Sequence, residues 1–96
     1  MLDFYLIKDE QKKPDYPEQE NLEFVSGIDY KTYERLIHKE IIDNRFDYYS
    51  DFRWNSQMIK QIMDKMREKK DSDFEKLNDI LIKATETNNG LIAYCD

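Results

Sequence analysis

Cysteine occurs once, at Cys95, and histidine once, at His38. A lone thiol forms no internal disulfide, so the fold is not expected to depend on oxidation. Structural zinc needs three or four protein ligands. His38 has Glu34 one helical turn before it, but Cys95 is far away in sequence, so neither a metal nor a cofactor is expected. Cys95 and His38 as nucleophile and base fare no better, because a penultimate residue in a terminal strand is held too loosely. Glycine is also scarce. Gly27 and Gly90 stand far apart, which excludes the glycine-rich phosphate-binding loops. Asp43, Asp47 and Asp51 have neither the ligand spacing nor the glycine of a calcium loop. No run approaches the roughly 18 apolar residues of a membrane span. The opening MLDFYLIKDE has no basic start, and Asp3 interrupts its apolar run, so it does not read as a signal peptide. The expected location is cytoplasmic.

Acid is plentiful. Twenty-one Asp and Glu oppose 15 Lys and Arg, leaving a net charge of −6. Such a chain is repelled by phosphate backbones and anionic bilayers, so neither nucleic acid nor membrane is an expected partner. A protein with a basic surface is. At 96 residues the chain is expected to form one small domain, 1–96, with a modest core and no deep cleft between domains.

Apolar periodicity sets the expected elements. LDFYLIK carries apolar groups on both faces and reads as a buried strand. Residues 9–23 hold both prolines and eight charges, six of them acidic, and read as a solvated loop. LEFVSGI is a second strand. Asp29 then caps a helix with Tyr33, Leu36, Ile37 and Ile41 on one face. A second helix begins near Asn55 or Ser56, with Met58, Ile59, Ile62, Met63 and Met66 as its stripe. Its outer side holds Lys60, Lys65, Arg67, Lys69 and Lys70 against only Asp64 and Glu68. A third helix starts at Asp71 or Ser72, buries Phe74, Leu77, Ile80, Leu81 and Ala84, and stops at Asn88-Asn89-Gly90. LIAYC is a last buried strand. The expected architecture is α+β: a three-stranded sheet against about three amphipathic helices, in the order β-β-α-α-α-β, with first and last strands adjacent.

Five of the thirteen aromatics crowd into IIDNRFDYYSDFRWN at 41–55. Phe46, Tyr48, Phe52 and Trp54 fall on even positions, and Arg45, Asp47, Tyr49, Asp51 and Arg53 on odd ones. That alternation predicts a half-buried extended segment with its rings in the core. A helical reading is weaker, although Tyr48, Tyr49 and Phe52 can share a face. The odd-numbered five are the candidate partner-binding residues, since tyrosine and arginine of mixed charge context favour specific protein contacts. Loop 9–23 would extend that surface.

In its size, acidity, lone cysteine and lack of catalytic motifs, the chain resembles the immunity proteins and antitoxins that neutralise bacterial toxins. The resemblance is one of class and composition. It implies a non-catalytic inhibitor that binds a basic toxin surface, as a monomer or weak homodimer. The alternative is a small enzyme or ligand-binding protein with a pocket near His38. A homodimer built on Met58, Met63 and Met66 is a third possibility, though packing of these side chains into the core is favoured.

Overall fold

The computed structural model describes residues 1–95. Its strands are β1 (Leu2–Ile7), β2 (Phe24–Ile28), β3 (Phe52–Trp54) and β4 (Gly90–Cys95). Its helices are α1 (Tyr30–His38), α2 (Ser56–Glu68) and α3 (Glu75–Glu86), with 3-10 turns at Pro17–Glu20 and Ser72–Phe74. The α+β class holds, but the sheet has four strands and not three. The chain order becomes β-β-α-β-α-α-β. The added strand is the end of the aromatic segment, where Phe52 and Trp54 point inward and Arg53 outward, so the chain pairs with β4 through Phe52↔Ala93 and Trp54↔Leu91. Gly90 permits the close approach: a Cβ there would lie 2.6 Å from the Trp54 carbonyl oxygen.

Sheet order is β2-β1-β4-β3, and every neighbouring pair is antiparallel. The first and last strands do sit side by side at the centre, from Leu2↔Cys95 to Ile7↔Gly90. Leu2, Phe4, Leu6, Leu91 and Ala93 face the main core, which Leu36, Ile59, Ile62, Leu77, Ile80 and Leu81 complete from the helices. Ile7, Ile92 and Tyr94 form a smaller cluster with Tyr5 and Leu22 on the opposite face. Burial on both faces explains why β1 and β4 lack polar alternation.

The 8–23 segment lies across that second face, which corrects the expectation of a merely solvated loop. Within it Pro14 is buried, and its carbonyl accepts from Tyr94 Oη at 2.8 Å. Asp9 reaches the start of α2, accepting from the Ser56 backbone amide at 3.0 Å and from the Ser56 hydroxyl. The loop's acids remain solvated while its backbone and Pro14 cover the sheet.

Helix boundaries follow the side-chain chemistry. Asp29 accepts from Thr32 N at 2.7 Å and Asn55 from Met58 N at 2.8 Å, each satisfying an amide of a first turn. Both α1 and α3 end in a left-handed residue, Glu40 (φ 59°) and Asn88 (φ 57°). Around them, Ile41 N bonds Leu36 O and Glu40 N bonds Ile37 O; Asn89 N bonds Ala84 O and Asn88 N bonds Thr85 O. These are paired C-terminal closures of the Schellman type. The first ends α1 before Ile41, which reaches the core from the following turn and not from the helix. Met66 is buried, and Met58 and Met63 pack against the main core.

Candidate functional site

The aromatic segment is not one extended stretch. Residues 43–50 make two successive turns, closed by Phe46 N to Asp43 O and Ser50 N to Asp47 O, each 3.1 Å. Their aspartates build them: Asp43 Oδ1 accepts from Arg45 N at 3.0 Å and Asp47 Oδ1 from Tyr49 N at 3.3 Å. This local bonding competes with strand pairing and wins over 43–50, leaving only 52–54 extended. Inside and outside are nevertheless assigned as the alternation implies. Phe46, Tyr48, Phe52 and Trp54 all join the core, while Tyr49 is 68% exposed.

The five candidate residues fall into two groups. Arg53 is half-buried and donates to the carbonyls of Gln11 (2.8 Å), Lys8 (3.0 Å) and Asp9 (3.4 Å). Asp51 lies 4.0 Å from Lys13 Nζ. Both therefore face the 8–23 strap, and Arg53 is an internal clamp. Arg45, Asp47 and Tyr49 lie at the other end, against α1. Arg45 stacks its guanidinium 4.7 Å from the Phe46 ring centroid.

At that end three tyrosines touch in a triangle. Tyr30 meets Tyr48 at 5.2 Å and Tyr49 at 5.8 Å between ring centroids, and Tyr48 meets Tyr49 at 5.1 Å. The edge-to-face contacts with Tyr48 hold the two exposed rings in place. Tyr48 is buried, Tyr30 is 41% exposed, and Tyr33 lies beneath them with its hydroxyl donating to Phe46 O at 2.6 Å. Tyr30 also hydrogen-bonds Glu34, which with that carboxylate's charge pushes the phenol pKa up. Burial and then the Asp47 charge do the same for Tyr33. The phenols of Tyr30 and Tyr33 therefore stay neutral at physiological pH.

Behind the triangle is a hollow of about 200 Å³ whose walls include Tyr30, Tyr33, Phe46 and Tyr48, with Glu34, Asn44, Asp47 and the exposed His38 at its polar positions. Cys95 is not in its lining. A hollow of about 550 Å³ adjoins it and shares Ile37, His38 and Asn44, whereas two of about 390 and 490 Å³ lie along α2 and α3, both lined by Met63 and Arg67, and share no residue with it. Among the described residues no charged side chain is buried, and no three His, Cys, Asp or Glu side chains converge as metal ligands would.

Sequence reasoning placed Tyr49, Asp47 and Arg45 on the outside but missed Tyr30 and Glu34 as their neighbours. The available signal was their spacing: four apart at the start of α1, which puts them on one face of the helix. Comparison with family models, curated proteins and solved structures found no match. Among the described residues, no helix is long and apolar enough to cross a membrane.

Proposed function

We propose that this chain is a non-catalytic binding domain whose partner is a protein with a basic surface. The observation that carries the reading is the tyrosine triangle of Tyr30, Tyr48 and Tyr49, partly exposed yet fixed by its own ring contacts, with Glu34 and Asp47 beside it. Rigid tyrosines give large contact area at small entropic cost, and flanking acids select a cationic partner. Arg45 joins this surface, whereas Asp51 and Arg53 support it from the strap side. The net charge of −6 favours the same class of partner. An immunity-type or antitoxin-type inhibitor of a bacterial toxin is the form of binder that the size and acidity suit, by analogy of class.

The test is capture of the partner from the native host with the full chain, followed by calorimetry on Tyr49→Ala and Asp47→Lys. Each is expected to weaken binding by roughly ten-fold or more. Unchanged affinity in both would contradict the reading.

A further inference from the structure

We propose that the hollow between α1 and the 43–50 turns is the seat of a single arginine side chain. The assignment rests on the binding reading for its biology, but its chemistry can be tested alone. Four rings, Tyr30, Tyr33, Phe46 and Tyr48, stand around a space of about 200 Å³ that also holds the carboxylates of Glu34 and Asp47. Aromatic faces attract a cation through their quadrupole, and a carboxylate at the rim adds charge-assisted hydrogen bonds.

The Tyr33 hydroxyl is already committed, donating to Phe46 O at 2.6 Å. The lining offers a ligand ring surface, the carboxylates of Glu34 and Asp47, and the polar groups of Asn44, His38 and Tyr48, a set in which the two carboxylates favour positive charge. An anionic ligand would be repelled. Guanidinium suits this set better than ammonium, because it is planar, stacks on rings and forks two N–H groups toward a carboxylate. The chain itself provides the precedent: the Arg45 guanidinium lies over the Phe46 ring at 4.7 Å. Arg45 is outside the lining of the hollow, so this contact leaves the space open.

The experiment is an NMR titration of the isotope-labelled full chain with N-acetyl-arginine amide, with the lysine and glutamine analogues as comparison probes, at roughly 0.15 M salt. Arginine is expected to give saturable shifts at the amides of Tyr30, Glu34 and residues 46–49, lysine a weaker response and glutamine none. Glu34→Gln and Asp47→Asn should each weaken the arginine probe roughly five-fold. Asp79→Asn removes the same charge from an exposed site on α3 and should leave binding unchanged. Because Asp47 also holds a turn, Tyr30→Leu provides a second check on the ring walls, and it too should weaken binding. Shifts that do not saturate, or that respond equally to arginine and lysine, would overturn the assignment. So would indifference to both Glu34→Gln and Tyr30→Leu. If a basic partner is captured but the probe does not bind, the arginine seat fails and the binding reading stands. If the probe binds and no basic partner exists, the reverse holds.

Discussion

The two ends of the 43–54 segment show the same pattern put to different uses. At Asp51–Trp54 the rings enter the core and the outward arginine is absorbed by three carbonyls of the strap. At Arg45–Tyr49 the rings also turn inward at Phe46 and Tyr48, but Tyr49 and its neighbours remain displayed. The difference lies in what covers the outward face. Residues 8–13 reach Arg53 and Asp51, whereas the Tyr49 ring rests on Tyr30 and Tyr48 and is otherwise mostly in solvent. Outward polarity alone thus does not mark a displayed side chain.

The comparison is broken most severely at the buried end. Trp54 is 0% exposed, and Trp54→Ala should cost about 3–5 kcal/mol in chemical denaturation. Its indole N–H is buried with no hydrogen-bond partner among the described residues. Trp54→Phe removes that unpaired donor while keeping a ring, so its loss should be clearly smaller. Equal losses would mean the indole N–H is satisfied.

Next in size is Arg53→Ala, expected to cost about 1–3 kcal/mol through the orphaned carbonyls of the strap. Hydrogen exchange should speed up over residues 8–13 and not over 45–49. A smaller effect of opposite sign tests the turn that leads into the displayed end. Glu40 holds a left-handed conformation at φ 59°, so Glu40→Gly should stabilise the fold by about 0.5–1 kcal/mol in the same denaturation assay.

Acid should act beside the displayed end, through Lys39 and its partners Asp71 and Asp73. The Lys39 ammonium bonds both carboxylates, which holds their pKa values below the ordinary 3.8. Their contribution is present above 3.8 and is lost as pH falls through the lower folded-state values. Lys39, raised above 10.5 by the same carboxylates, contributes below that value and loses its contribution as pH rises past its folded-state pKa. Lys39→Met should therefore flatten the acid limb of a stability-versus-pH curve; an unchanged limb would contradict the pairing. The smallest stability effect is expected at Tyr49→Ala, within about 0.5 kcal/mol, since its ring is mostly in solvent.

Much of this was legible in sequence. The caps Asp29 and Asn55, the Met-rich stripe, the stop at Asn88 and the central pairing of the terminal strands all follow from local chemistry or from burial patterns. The fourth strand was obscured because it is three residues long and continues an alternation that begins in turns. Asp43 and Asp47 carried the clue, since aspartate builds turns through its own side chain, but their charge pointed equally to a displayed face. The strap was hidden for a different reason. Its hydrogen bonds to the sheet run through backbone carbonyls of Lys8, Asp9, Gln11 and Pro14, which carry no side-chain signature. Tyr30 and Glu34 were missed as site residues because the meeting of the 43–50 turns with α1 is a tertiary contact, which no local pattern announces.

The most direct test of the division between the two ends is the affinity of Tyr49→Ala and Arg53→Ala for the captured partner, measured by calorimetry where both variants are folded. Tyr49→Ala should lose roughly ten-fold or more while Arg53→Ala stays within about two-fold of the wild type. Equal losses, or a larger loss at Arg53, would contradict the assignment of recognition to the tyrosine triangle.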